Sequence, residues 1–413
     1  MPGLMLWLPP NPSMNTKFRI LPLLHVLAAC AAGSASAQDY SLGVAEAYQP
    51  KIQDLFFPSE GLIKGGFAYS VGLEAIYDSN ITLDTDDEQE ELYFVLSPVI
   101  TYNSDPEGGA LLSFEAEYSP LIKGYTEESD RSGIDHRLLG SLTYHGGRLT
   151  ATAYASYQEI SGADRLAEEY IEGSIVRYGI NGSYQVGPRT SVGLNIGASH
   201  SEYDTGEKGA DTFRIGLSGD WAYSERLSFG PYLRYSMTES VSSGSRDSYA
   251  LLFQAKYRFE ERVRLSAALG FEKSNNSRDG EGDGEIRVTG EFTAKYQVTE
   301  RLTWSGSIRY ATVPSPSTED YFVQDLTVST RLTRELDQGS VSLGVRWSSA
   351  YYDETGEATT EHDDDKYTSI ILSHSRNLFS DRASLNSSVS YAFSEGEREY
   401  DRWQVAVGVR VTF

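Results

Sequence analysis

The chain has 413 residues, 39% of them hydrophobic and 23% charged, and its formal net charge is −24, which argues against a nucleic-acid partner. The single cysteine, Cys30, excludes a disulfide framework and a cysteine-based metal site. No apolar run beyond the N-terminal region is long enough for a membrane-spanning helix, whereas a mean hydropathy of −0.39 still allows a membrane β-barrel, because only alternate residues of its strands face lipid.

The first predicted element is a secretory signal peptide over residues 1–37, with Met14 as the expected true start. A basic stretch follows Met14, residues 20–32 are apolar, and Ala35-Ser36-Ala37 is a small-x-small cleavage site. This order of basic, apolar and small residues is typical of a secreted protein and not of a transmembrane helix.

A second interpretation of the same segment stays open. Leu27-Ala28-Ala29-Cys30 resembles a lipobox, which would make Cys30 a lipidated N-terminus. Residues 38–65 show neither strand alternation nor a long helical period, so we expect a short periplasmic or lumenal segment there.

From residue 66 to residue 413 the chain repeats one unit, a stretch of alternating residues followed by a connection. This pattern predicts an all-β fold, a transmembrane antiparallel up-and-down barrel of about 18 strands, with 16 as the alternative. The spans 110–125, 134–145, 149–159 and 174–186 are each predicted as one strand. Short and long connections alternate, so we expect a Gram-negative outer-membrane protein with periplasmic termini and long, acidic extracellular loops.

The predicted eighteenth strand, residues 402–413, has the clearest alternation. Its apolar face includes Trp403, Val409, Val411 and Phe413, and small or polar residues alternate with the apolar ones along the strand. This strand must pair with the first strand, near Gly66, to close a barrel. A terminal aromatic after alternating apolar residues also resembles the signal that the barrel-insertion machinery of Gram-negative bacteria reads.

Alternation also predicts which side chains face the lumen, because a charge facing lipid near the midplane costs about 2–4 kcal/mol for Arg or Lys. The inward phase contains more cations than acids, which predicts a pore that prefers anionic solutes; an equally weighted alternative is that these cations pair with lumenal acids and stiffen the wall. The predicted inward cations are Arg177, Arg214, Arg234, Lys256, Arg258, Arg287, Lys295, Arg309, Arg331, Arg346 and Arg410.

The first predicted hairpin resembles the β-barrel porin 2 family. That family begins with a Tyr-Asp-x-Asn-Ile element, an acidic loop and a strand with a central proline, which Tyr77, Asp78, Asn80, Ile81 and Pro98 match. The match covers this hairpin only. The resemblance implies an outlet for exopolysaccharide in the outer membrane, with periplasmic polysaccharide-export proteins as partners, beside outer-membrane lipid and lipopolysaccharide.

Two other functions remain as alternatives. Acidic long loops could make the barrel an adhesion protein that binds sugar or calcium, with Asp363, Asp364 and Asp365 as the weak candidate for a calcium site. Histidines stand beside serines at His200-Ser201 and Ser373-His374, which resembles an outer-membrane lipase, but neighbours in a strand point to opposite faces. We therefore expect no enzyme and no cofactor.

Overall fold

The computed structural model describes residues 66–413 apart from 86, 106–107, 165–168, 204–208, 241–243, 277–285, 315–321, 354–364, 379–381 and 397–398. The predicted signal peptide, the lipobox cysteine Cys30 and the segment 38–65 lie outside the described residues. So do Asp363 and Asp364, two of the three aspartates proposed for calcium.

The described chain forms eighteen antiparallel strands, so the predicted count is confirmed and the alternative of 16 is wrong. In the described part of the chain, a 3-10 turn, Ser129–Arg131, lies in the connection between the third and fourth strands. Among the described residues no helix is long and apolar enough to cross a membrane. The strands are β1 Phe67–Asp78, β2 Glu91–Asn103, β3 Leu112–Tyr118 with Leu121–Tyr125, β4 Gly133–Asp135 with Arg137–His145, β5 Leu149–Asp164, β6 Glu169–Gly187, β7 Thr190–Tyr203, β8 Ala210–Ala222, β9 Leu227–Ser240, β10 Gly244–Phe259, β11 Val263–Asn276, β12 Ile286–Thr299, β13 Leu302–Pro314, β14 Phe322–Leu336, β15 Gly339–Asp353, β16 Asp365–Leu378, β17 Ala383–Glu395 and β18 Tyr400–Thr412.

Strands β3 and β4 are each interrupted, where the sequence predicted one continuous strand. In β3 the interruption falls at Ser119 and Pro120, because proline has no N–H to donate to the ladder. The Ser119 amide instead donates to the Arg137 carbonyl, 3.0 Å away, so the neighbouring strand β4 is held across the break. The barrel wall therefore stays continuous.

The sheet closes on itself between β18 and β1. Their register runs from Ser70 opposite Thr412 to Asp78 opposite Gln404, and the Phe413 amide donates to the Tyr69 carbonyl at 2.9 Å. The predicted pairing of the first strand with the last is thus confirmed. Closure leaves no strand edge with unpaired backbone groups, which a barrel in lipid requires.

The outward face is apolar, and β10 shows it most clearly. Leu251 and Phe253 point outward and are 58% and 56% exposed, whereas Ala250 and Leu252 point into the lumen and are 4% and 3% exposed. Large apolar side chains so exposed around a whole wall are unfavourable in water and favourable in lipid. The fold is therefore a transmembrane β-barrel, as predicted.

The connections separate the barrel into two ends. Successive strands join by tight turns at one end, for example Glu260–Arg262 between β10 and β11, which we call the short-turn end. The other end carries the longer connections and is called the long-loop end. The hairpin of β5 and β6 belongs to the long-loop end and is longer than predicted, because β5 continues to Asp164 and β6 begins at Glu169.

Candidate functional site: the lumen and its long-loop mouth

The predicted cations all occupy lumen-facing positions of their strands, and they differ in how much solvent they meet. Nine are half-buried and two are exposed. The half-buried ones are Arg177, Arg214, Arg234, Lys256, Arg287, Arg309, Arg331, Arg346 and Arg410; the exposed ones are Arg258 and Lys295.

At least two of these cations pair with lumenal acids in the way the wall-stiffening alternative requires. Arg234 lies 2.6 Å from a Glu272 carboxylate oxygen, and Lys256 lies 3.7 Å from Asp220. The buried Arg246 also approaches Glu272, at 3.7 Å. Sequence reasoning did not single out Glu272 or Arg246, although each is in the inward phase of its strand and could have been found from it.

A concavity in the wall formed by β8 to β13 brings several charged side chains together. It is open to the lumen, and its charged lining residues are Arg214, Arg234, Arg246, Arg309, Glu272 and Glu291. We call this concavity the arginine recess. Four arginines and two glutamates give it a formal excess of two positive charges.

A different part of the wall is neutral and rich in hydroxyl groups. Along β15, β16 and β17 the register places Ser340, Ser375 and Asn386 side by side in one row. The next row holds Ser342, Ser373 and Ser388. We call these two rows the serine wall. The lumen therefore has a basic recess and, on other strands, two uncharged rows of hydrogen-bonding side chains.

Asp78, from the family-like hairpin, anchors the seam between β1 and β18. Its carboxylate is fully buried and accepts two hydrogen bonds from Arg402, of which the one from Nε measures 2.8 Å. Gln404 Nε2 donates at 2.8 Å and the Asn80 backbone amide donates at 3.2 Å. A buried charge needs such a full set of partners, because an unpaired one would be strongly destabilising. We call this group the seam clamp.

Asn80 folds the first loop back toward the lumen. Its side-chain amide donates to the Asp84 carbonyl at 2.7 Å, and its oxygen accepts from the Asp84 amide at 3.1 Å. This closed turn holds Leu83 at a positive φ of 58° and buries both Ile81 and Leu83. The other two motif residues lie elsewhere: Tyr77 points outward and donates to Glu90 at 2.8 Å, and Pro98 lies in β2 opposite Val71.

The buried Leu83 meets the tip of the β5–β6 hairpin inside the mouth of the barrel. Leu83 and Ala163 share an apolar cluster with the lumen-facing residues Tyr367, Ala392 and Tyr400. The last three belong to β16, β17 and β18, far around the wall from β5. The hairpin therefore leans across the mouth, and we call this group the mouth cluster.

A buried lysine ties the leaning hairpin to the wall. Lys123 of β3 lies 2.7 Å from Asp135 of β4 and donates to the Ser161 hydroxyl of β5 at 2.8 Å. The Ser161 hydroxyl in turn donates to Asp135 at 2.8 Å. Sequence reasoning missed Lys123, since its partners lie on two other strands.

The four residues of the proposed assembly signal lie on the outer side of β18. Trp403, Val409 and Phe413 are exposed and Val411 is half-buried. Trp403 also packs against Tyr391 of β17 with the rings tilted and their centroids 4.4 Å apart. Whether the insertion machinery reads them stays a prediction.

The described residues contain no cluster of three His, Cys, Asp or Glu side chains that could hold a metal ion. Asp365, the one described residue of the proposed calcium trio, is buried at the start of β16. His200 lies 2.7 Å from Asp211 on the outer face, while Ser201 faces the lumen and bonds Ala210. The adjacent His200 and Ser201 therefore do not form a nucleophile–base pair.

Comparison with known proteins finds likeness in structure only. No family model matches the sequence and no curated protein matches it, so the resemblance to the porin 2 family stays a prediction. Among solved structures, OccAB3 of Acinetobacter baumannii is 10% identical with a TM-score of 0.46, over 84% of this chain and 99% of that one. OccK5 (OpdH) of Pseudomonas aeruginosa is 9% identical with a TM-score of 0.48, over 85% and 99%. The FrpB iron transporter of Neisseria meningitidis is 10% identical with a TM-score of 0.46, over 83% and 63%. These values carry no functional argument.

Proposed function

We propose that this chain forms a passive channel of the Gram-negative outer membrane that favours anionic solutes. The observation that carries the proposal is a closed lipid-facing barrel whose lumen presents a line of arginines from β8 to β15. Barrels of this strand number are wide enough to leave an aqueous passage. Cations along such a passage lower the energy of a permeating anion and raise that of a cation.

The orientation belongs to the same proposal. We place the short-turn end and both termini in the periplasm and the long-loop end outside the cell, as is general for these barrels. The mouth cluster then narrows the extracellular entrance. Several acidic long loops lie outside the described residues, so the adhesion alternative gains no observation from the structure.

Conductance and ion selectivity test the channel. In planar bilayers under a salt gradient, the wild-type protein should conduct, and its reversal potential should show preference for chloride over potassium. Arg258→Gln with Lys295→Gln removes two exposed lumenal cations and should shift the reversal potential toward zero. Lys366→Gln, which removes an exposed cation on the outer face, is the matched control and should leave it unchanged. A folded barrel that never conducts would overturn the proposal.

The cargo we propose is an acidic polysaccharide that leaves the cell, with periplasmic export proteins supplying it. Support comes from these two parts of the lumen, because a sugar polymer carries carboxylates that suit arginines and hydroxyl groups that suit the serine wall. Deleting the gene should reduce the uronic acid recovered outside the cells, and the wild-type gene should restore it. Unchanged secretion would refute this cargo while leaving the channel intact.

We also propose that the barrel is not an enzyme. The geometry that supports this is the separation of His200 from Ser201 described above. His374, the other candidate base, lies on the outer side of β16 opposite Ser387 of β17. A phospholipid-hydrolysis assay on the purified barrel tests the point, and activity lost in His374→Ala would contradict it.

A further inference from the structure

The arginine recess combines charge and shape in a way that a general preference for anions does not require. Glu272 accepts from Arg234 at 2.6 Å and lies 3.7 Å from the buried Arg246, so two guanidinium groups share one carboxylate. Arg246 is held further by a 2.9 Å hydrogen bond to Ser274. Two cations facing one acid leave an excess positive charge whose position is fixed by the wall.

A third arginine adds to this excess from β8. In the register of the sheet, Arg214 lies between Gly197 of β7 and Ser236 of β9. The side chain lines the same recess as Arg234 and Arg246. A planar guanidinium can hold a carboxylate through two parallel hydrogen bonds, which gives direction as well as attraction.

The rest of the lining suits a sugar more than a simple ion. Hydroxyl groups surround the arginines, and apolar side chains lie beside them. The threonines and serines are Thr212, Ser236, Thr238, Ser248, Thr289 and Thr312, and the aliphatic residues are Leu252, Ala268 and Ala311.

We propose that the arginine recess is a binding subsite for one carboxylated sugar unit. Arg214 and the Arg234–Arg246 pair hold the carboxylate, the Thr and Ser hydroxyls bond the ring hydroxyls, and the less polar ring face lies on Leu252 and Ala268. The subsite names a substrate class for the proposed channel. Its biological role rests on the channel proposal. Binding itself needs no conduction.

Isothermal titration of the full-length, detergent-solubilised barrel tests the subsite with D-galacturonate, D-galactose and acetate as probes. Galacturonate should bind more tightly than either other probe, because only it offers both a carboxylate and ring hydroxyls. Arg214→Gln removes a charge-assisted contact and should weaken galacturonate about tenfold or more. Arg214→Lys keeps the charge but cannot form two parallel hydrogen bonds. Its affinity for galacturonate should therefore lie between those of the wild type and Arg214→Gln.

The matched control is Arg346→Gln. Arg346 also faces the lumen, with Ser329 and Ser369 directly opposite, but it lies outside the recess. Loss of the Arg346 charge should leave the affinity for galacturonate within about twofold of wild type. For each variant, a shift in gel mobility between the native and the heat-denatured protein confirms that the barrel is folded.

Each result separates the subsite from the channel. Equal binding of acetate and galacturonate would show a simple anion site and overturn the sugar assignment. Equal damage by Arg214→Gln and Arg346→Gln, or no galacturonate binding, would overturn the subsite even if the barrel conducts. Specific binding by a barrel that does not conduct would uphold the subsite and refute the channel instead.

Discussion

Breaking the seam clamp should destabilise the barrel far more than breaking an exposed ion pair. The side chain of Asp78 is 0% exposed and that of Arg402 is 11% exposed. Asp78→Ala would leave the Arg402 guanidinium buried without its carboxylate, and removing one partner of a buried pair costs about 3–5 kcal/mol. Arg402→Met should lower the free energy of unfolding in the same way, because it leaves the Asp78 carboxylate with only Gln404 and the Asn80 amide.

A double variant separates the pair from its surroundings. Asp78→Ala with Arg402→Met removes both charges, so its loss should be smaller than the sum of the two single losses by about 2 kcal/mol or more. Asp337→Ala is the control, since Asp337 and Arg301 lie 2.6 Å apart but are 81% and 66% exposed. That pair should contribute less than about 1 kcal/mol.

The assay is reversible guanidinium unfolding in lipid vesicles, followed by tryptophan fluorescence, with Trp403 next to the clamp as a local reporter. Comparing the free energies of unfolding gives the four-variant cycle directly. If Asp78→Ala lost no more stability than Asp337→Ala, the clamp would not hold the seam, and the burial argument would be wrong.

Three further expectations can be checked with the same protein. Phe253→Lys puts a cation on the lipid face and should cost about 2–4 kcal/mol near the midplane in vesicle unfolding, whereas Gln254→Lys, its lumen-facing neighbour, should cost much less. Leu83→Asp places a charge in the mouth cluster and should raise single-channel conductance by releasing the first loop. Thr85→Asp, at an exposed position of the same loop, should not raise it. Equal conductance of the two variants would contradict the proposal that the mouth cluster narrows the entrance. Phe413→Ala should lower the amount of barrel assembled in cells yet barely change unfolding of the refolded protein, because Phe413 is 64% exposed and its backbone bond to β1 remains.

The faces of the strands could be predicted from the sequence because a single rule governs them. Each strand has a period of two, and lipid rejects charge on one side. Leu251 and Phe253 therefore had to point outward once Lys256 and Arg258 pointed inward. The strand count followed from the same alternation, which breaks only at turns and loops. Pro120 interrupts β3 without moving the phase, so it did not disturb the count.

Contacts across the lumen could not be predicted in this way. Leu83 and Ala163 lie where alternation ends, and their shared cluster joins the first loop, the β5–β6 hairpin and three distant strands. Only one half of the seam clamp could be predicted, because alternation places Arg402 on the lumen face of its strand. Its partner depends on the register across the seam, which the shear of the whole barrel sets and local alternation does not.

The acidic chain and its basic lumen are compatible because the two charges occupy different parts of the fold. A net charge of −24 is a sum over all residues, and much of the acid falls in the long connections, where solvent screens it within about 8–10 Å at ordinary salt. The arginine recess, with its excess of two positive charges, lies in the wall, where screening is weaker. The energy of a permeating anion at the recess therefore depends on the local excess of positive charge and not on the net charge of the chain. It follows that raising the salt concentration should weaken the effect of the loops on entry well before it weakens binding at the recess.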